Sequence, residues 1–375
     1  MEGFSVQGYY EASTPEALEP FRGKVKAIPE YHNVTRVVIS EEQIRERHRS
    51  EEPSDKKFAE DIQKVFRTIG TPLLSLPFTI GSGDEEMWVR DWAPVTVTNG
   101  NEKIFVEFNY YTDRPTADAL PRKLAGMTGR RILSLPFQME AGNFMINDDG
   151  LCLTTKQVGK NNKDFEARYP QSRAVPIGDN YKVIEEYFRD FLGCKKTVFF
   201  DVLDSTGKIE RTGRIDIWAK FISNDKVLVG QIDTNKIYPS EVSDAISWTD
   251  TKRFAAQLDE FSRQISSLGL KVIRLPMPPV LKPARDSIVA DTLAATHTNF
   301  LLVNGHALVP SYSDMFVMFP NFSGTRPKGL DKLFLDLEKD VKSIVTNLGM
   351  NVHFIESSSK IARQGAVHCL TMQIH

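Results

Sequence analysis

The sequence predicts an α/β fold built as a ring of five repeated strand–hairpin–helix modules. Three observations predict it: five helical segments each end at a glycine, a short apolar run follows each of those glycines, and a short polar signature follows each apolar run. Elements recurring in one order, with the polar station always at the same point, imply pseudo-fivefold symmetry. The signatures then converge on one central axis, the usual place for a pocket. An open α/β sheet with helices on both faces accounts for the helices and strands but not for five equivalent polar signatures.

The helical segments are expected at 56–70, 117–129, 180–193, 252–269 and 329–349, each stopped by a glycine that supplies the left-handed conformation. The apolar runs TPLLSLPF, RRILSLPF, KKTVFFDV, LKVIRLPM and MNVHFIES read as buried strands. The signatures are WVRDWAP, MEAGNFM, GRIDIWA, THTNFLL and GAVHCLT. The first four lead into hairpins turning at 98–101, 147–150, 223–226 and 303–306, where Asn-Gly, Asp-Gly and Asn-Asp pairs suit tight turns. The fifth runs into the last strand, CLTMQI, whose partner is expected in NVTRVVIS at 33–40; pairing the two chain ends closes the ring and leaves no open edge there.

The chain has 375 residues, 41% apolar and 26% charged, with a formal net charge of -2. These values fit a globular protein and point to neither nucleic acid nor an anionic membrane as partner. The expected organisation is an N-terminal extension over 1–26 and one domain over 27–375. EEQIRERHRSEEPSDKK reads as a solvated surface. No apolar run reaches the roughly 18 residues of a membrane span, and MEGFSVQGYYEAST lacks the basic start and apolar core of a secretory signal. Three cysteines, Cys152, Cys194 and Cys369, without CxxC spacing argue against a disulfide framework or a zinc site. With the missing signals, they suggest a reducing, cytoplasmic setting. The oligomeric state is not fixed by sequence, and a homodimer is one arrangement open to it.

The signatures bring Asp91, Glu140, Asn143, Asp216, Asn299 and Cys369 toward the axis, with Trp88 and Trp218 near them. No histidine pair has metal-ligand spacing and no glycine-rich phosphate loop precedes a helix, so neither metal nor cofactor is expected. Carboxylates together with a cysteine suit a planar, cationic, electrophilic substrate. A guanidinium fits: its N–H forks match carboxylates, and a thiolate can attack its carbon to give a covalent thiouronium and release ammonia. Each residue also has a plainer explanation. Cys369 suits a buried core site, Asp91 an ion pair with Arg90, Glu140 and Asn143 a turn cap, and the tryptophans a core.

WVRDWAP, EAGNF, RID and GAVHC, in this order, resemble the motifs of the agmatine deiminase and bacterial-type (Porphyromonas-type) peptidyl-arginine deiminase family, within the guanidine-modifying superfamily. The likeness runs from AIPEY, near residue 27, to the C-terminus. The resemblance implies a five-bladed α/β propeller, the pentein fold, and deimination without cofactor or metal. It implies Cys369 as nucleophile, Asp91 and Asp216 as guanidinium ligands, Asn299 in the pocket and Trp88 as its wall. Arg114, in YYTDRPTAD, lies where the peptidyl-arginine branch binds a substrate carboxylate. The implied partner is a small guanidine compound or the C-terminal arginine of a peptide.

The main departure is Arg214, where the family has a histidine that donates a proton to the leaving ammonia and then activates water. An arginine stays protonated and cannot cycle a proton, although it can lower a neighbouring thiol's pKa or pair with Asp216, two residues on. His297, two residues before Asn299, is a candidate surrogate acid/base; His368 is a poorer one, since strand neighbours face opposite ways. Ala93 and Ala141 replace family glycines. The leading expectation is a deiminase of agmatine, arginine or peptidyl-arginine with an altered proton relay. The alternatives are a guanidinium-binding protein that has lost hydrolysis and an amidinotransferase-type enzyme.

Overall fold

A computed structural model describes residues 13–44, 53–76, 87–111, 114–168, 177–235, 240–282, 294–313 and 329–375. All five expected helices form, as Pro53–Ile69, Leu120–Thr128, Tyr181–Leu192, Trp248–Ser267 and Leu330–Asn347. The second and third are capped by left-handed glycines, Gly129 at φ 65° and Gly193 at φ 76°. At Gly193 space matters as well, because a Cβ there would lie 2.8 Å from the Val25 carbonyl oxygen. A helix at Gln157–Arg168 was not expected; its polar, weakly periodic sequence QVGKNNKDFEAR gives little helical signal.

The strands form five separate sheets. Four repeat one design: an antiparallel hairpin whose second strand pairs in parallel with the apolar strand beyond the next helix. In chain order they join Val95–Asn99, Glu102–Asn109 and Ile132–Gln138; Met145–Ile146, Leu151–Thr155 and Lys196–Phe200; Ala219–Phe221, Lys226–Gln231 and Lys271–Pro276; and Leu301–Val303, His306–Ser311 and Asn351–Glu356. The helix supplies the long crossover that a parallel pair requires. In the fifth sheet Thr371–Ile374 pairs antiparallel with Arg36–Ser40, which pairs in parallel with Leu73–Leu76. The two chain ends therefore meet as the sequence predicts, with Met372 opposite Val38.

Neighbouring sheets share apolar cores. Val106 and Leu135 of the first pack with Ile146 and Cys152 of the second; Leu153 of the second with Val227 and Val229 of the third; Leu228 of the third with Leu302 and Val309 of the fourth; Leu301 and Leu308 of the fourth with Val37 and Ile39 of the fifth; and Val38 and Met372 of the fifth with Phe105 of the first. The second hairpin strands are the ones buried on both faces, as in Lys226–Gln231 and His306–Ser311; the apolar runs expected as buried strands lie outside them and are largely half-buried at Leu73–Leu76, Lys196–Phe200, Lys271–Pro276 and Asn351–Glu356.

In the N-terminal segment Leu18 and Phe21 are buried, and Val25–Ala27 adds an edge strand to the first sheet. One expectation needs correction. Cys152 and Cys194 form a disulfide. Cysteine spacing did not show it, since the strand and the helix end that carry them are neighbours only after folding. The disulfide removes the cysteine argument for a reducing compartment. Among the described residues no helix is long and apolar enough to cross a membrane.

Candidate active site

One signature from each module reaches a common buried cluster. Asp91 lies on the helical turn Val89–Trp92, Glu140 just before the 3₁₀ turn Ala141–Asn143, and Asp216 on the 3₁₀ turn Ile215–Ile217, with Arg214 at its N-cap. Asn299 lies two residues before the Leu301–Val303 hairpin strand, and Cys369 sits in a turn just before Thr371–Ile374. Short turns at strand ends aim these side chains inward.

Arg214 is at the centre. Its Nη1 donates to Asp91 Oδ1 and lies 3.5 Å from Glu140 Oε2; its Nη2 donates to Cys369 Sγ at 2.9 Å; its Nε lies 3.4 Å from Asp216 Oδ1. The Cys369 thiol in turn points at Asp216 Oδ2, 3.6 Å away. The expected nucleophile and the expected guanidinium ligands are thus together, and the group between them is the guanidinium of this chain's own arginine. Burial costs the Arg214 charge, but the carboxylates of Asp91, Asp216 and Glu140 outweigh that cost and hold it protonated. Burial raises the Asp91 carboxyl, with Arg214 opposing the rise. Asp216 is held below its ordinary value despite burial, by Arg214 and His368. Burial pushes the Cys369 thiol far up, and the opposing pull of Arg214 does not restore it. The sulfur therefore sits as a thiol that accepts from arginine and faces Asp216.

Asn299 joins the two halves of the cluster. Its Nδ2 donates to Asp216 Oδ2 at 3.1 Å, and its Oδ1 accepts from the Cys369 backbone N–H at 3.3 Å. Asn143 acts on backbone: its Oδ1 accepts from the N–H groups of Thr155 and Ile215, at 3.1 and 3.2 Å, so it pins the turn that carries Asp216. Gly142 lets that turn close, because a Cβ there would lie 2.8 Å from Asp216 Oδ2. Trp88 is half-buried against the Cys369 cluster and packs close against Gly365, where a Cβ would come within 2.1 Å of the indole. Trp218 is core, stacked on Phe261 with ring centroids 4.2 Å apart. Arg114 stands one layer out, over the Tyr111 ring at 4.9 Å, and Tyr111 donates to Glu140 Oε1 at 2.6 Å.

The candidate surrogate His297 is fully buried. Its Nδ1 donates to the Pro276 carbonyl at 2.8 Å, and Nε2 has no partner among the described residues. Burial lowers its pKa to about 4. No hydrogen bond joins it to Asp216 or Cys369 among the described residues.

His368 departs from expectation, because residues 367–370 form a turn and strand alternation does not apply. Its Nδ1 lies 2.8 Å from Asp216 Oδ2, and its Nε2 lies 2.8 Å from Glu30 Oε1. Burial, then Arg90, lower the ring's pKa while Glu30 opposes them. The geometry favours the charged ring, since a neutral one would set a lone pair against a carboxylate oxygen. Glu30 also takes Arg90 at 2.8 Å and Lys220 at 2.9 Å. Despite burial, His368, Lys220 and Arg90 hold its carboxyl well below the ordinary range. Arg90 therefore pairs with Glu30, not with its chain neighbour Asp91.

Glu30 and Lys220 were missed as site residues. A lysine inside the apolar strand segment WAKF was the available signal for one, and the glutamate of AIPEY for the other. Four carboxylates (Glu30, Asp91, Glu140, Asp216) now face four cations (Arg90, Lys220, Arg214, His368). Among the described residues no group of three or more His, Cys, Asp or Glu is placed to hold a metal ion.

Comparison with known proteins agrees with the resemblance. The chain is 22% identical over 325 residues to the agmatine deiminase of Pseudomonas putida, covering 77% of this chain and 74% of that protein. It is 22% identical over 323 residues to the agmatine deiminase of Pseudomonas syringae pv. tomato, with the same coverage. In fold it is similar to the agmatine deiminase of C. jejuni, with a TM-score of 0.61 at 14% identity, covering 93% of this chain and 95% of that one. The agmatine deiminase of Enterococcus faecalis gives a TM-score of 0.61 at 17% identity over the same shares. The sequence profile of the Porphyromonas-type peptidyl-arginine deiminase family matches residues 6–374, and the chain belongs to that family.

Proposed function

We propose that the five sheets close as a five-bladed ring around a site that recognises a guanidinium group, and that this site, as it stands, does not turn that group over. The closed order of shared cores supports the ring, each sheet packing on the next and the fifth on the first. One observation carries the functional reading: a guanidinium group, that of Arg214, lies between Asp91 and the Cys369 thiol with Asp216 alongside.

Family-type deimination needs a thiolate to bond to the guanidinium carbon, and a proton donor so that nitrogen leaves as ammonia. Water must then add to the thiouronium, so that the carbon–sulfur bond breaks and the ureido product leaves. Three features stand against that sequence here. Arg214 occupies the histidine position and cannot cycle a proton; general acid–base help is worth roughly 100- to 10,000-fold in rate. Cys369 is held as a thiol. The sulfur accepts an N–H from the edge of the resident guanidinium, whereas attack on the central carbon needs approach from above the plane.

The test is ammonia release from agmatine, arginine and a peptide ending in arginine. Unmodified protein is expected to release none above the blank, and Arg214→His to release it from at least one. Turnover by the unmodified chain would overturn the reading. An amidinated amine seen by mass spectrometry would replace it with amidine transfer.

A further inference from the structure

Arg214 fills the cradle without satisfying it. Asp216 Oδ1 and Glu140 Oε2 are buried and lie within ion-pair distance of the arginine, 3.4 and 3.5 Å, yet neither receives a hydrogen bond among the described residues. The Arg214 Nε is likewise without one. A buried carboxylate oxygen left unbonded is costly. The reason is the tether. Arg214 is the N-cap of the same turn that carries Asp216, two residues on, so its guanidinium is held by its own backbone. As placed, its terminal nitrogens donate to Asp91 and Cys369, and Asp216 Oδ1 and Glu140 Oε2 are left over.

The charges match this picture. Arg214 is the guanidinium that Asp91, Glu140 and Asp216 share, and removing it takes away the positive charge all three face. A free guanidinium cation carries the missing charge and presents N–H pairs on all three edges, so it can turn to meet oxygens that the tethered group cannot.

Resting on the reading of the site as a guanidinium site, we infer that Arg214 is a built-in ligand. The chain is a self-liganded receptor, and removing that one side chain opens a site for free guanidinium and alkylguanidinium cations. Specificity comes from shape and charge together. Urea has the shape without the charge, and ammonium has the charge without the planar fork.

The experiment follows thermal unfolding of the full chain carrying Arg214→Ala, titrated with guanidinium chloride and with agmatine over the low millimolar range. Urea and ammonium chloride at matched ionic strength are the controls. The expected result is a saturable rise in unfolding temperature of several degrees for Arg214→Ala with both guanidines and with neither control. The unmodified chain is expected to show no rise. If Arg214→Ala does not fold in buffer, refolding with and without guanidinium is compared, and Arg214→Gln, which keeps an N–H donor and loses the charge, is titrated in the same way. A folded variant indifferent to guanidinium, an equal response to urea or ammonium, or failure of both variants to respond overturns the inference. The same result beside an Arg214→His protein that releases ammonia would sink the built-in-ligand claim alone. Failure of both would remove the guanidinium site itself.

Discussion

At the scale of single residues, the site is ruled by the cost of buried charge. Arg214, Asp91 and Asp216 are nearly inaccessible to solvent and tolerate burial because they compensate one another. Arg214→Met should therefore destabilise the protein by about 3–5 kcal/mol, the usual cost of removing one partner of a buried pair. The measurement should use urea, since guanidinium is itself a proposed ligand; a loss below about 1 kcal/mol would contradict the ion-pair account. Two histidines outside the central cluster contribute to the pH response. Burial lowers the pKa values of His297 and His375 to about 4, from an ordinary 6.5. Below about pH 6.5 the unfolded chain then binds protons that the native chain refuses, so stability falls as pH drops from there toward 4. Each proton is worth about 1.4 kcal/mol per pH unit. His297→Asn should make that slope shallower by up to one proton, and an unchanged slope would rule out the neutral buried ring.

At the scale of elements, two close approaches give tests. Gly142 lets the Ala141–Asn143 turn lie against Asp216 and Arg90, and a Cβ would stand 2.8 Å from Asp216 Oδ2 and 3.2 Å from Arg90 Cγ. Gly142→Ala should cost about 1–3 kcal/mol through overpacking, read as a lower unfolding temperature. The Cys152–Cys194 disulfide ties the end of a strand to the cap of the Tyr181–Leu192 helix across 42 residues. Cys152→Ser should cost about 2–4 kcal/mol, and reduction of the unmodified protein should have a similar effect. Much of this level was legible in sequence, because glycine stops, apolar runs and Asn-Gly turns are local signals. The five helices, the parallel strands and the hairpins follow from them. The disulfide and the Gln157–Arg168 helix do not, since neither has a local pattern that separates it from alternatives.

At the scale of the whole molecule, the chain ends are part of the architecture. Thr371–Ile374 pairs with Arg36–Ser40, and Cys369 lies two residues before that last strand. Truncation after Leu370 should abolish cooperative unfolding rather than trim a tail; a well-folded truncated protein would contradict closure through the termini. The convergence of Asp91, Glu140, Asp216, Asn299 and Cys369 was legible from the repeat of signatures. Arg214 was legible as a departure, and its pairing with Asp216 was among the options. Its place in the middle of the cradle was not, because sequence fixes which residue stands at a position and not where a long side chain goes. Glu30 and Lys220 were hidden for the related reason that their partners lie in distant segments.

On the proposed reading the resident guanidinium closes the site over Cys369, which is the one cysteine outside the disulfide. The most direct test is the rate at which Cys369 is alkylated by a cationic haloacetamidine in the native protein, beside Arg214→Ala and a urea-unfolded control. Alkylation only in the variant and the control is the predicted result. Labelling of the native, unsubstituted chain as fast as the unfolded one would contradict it.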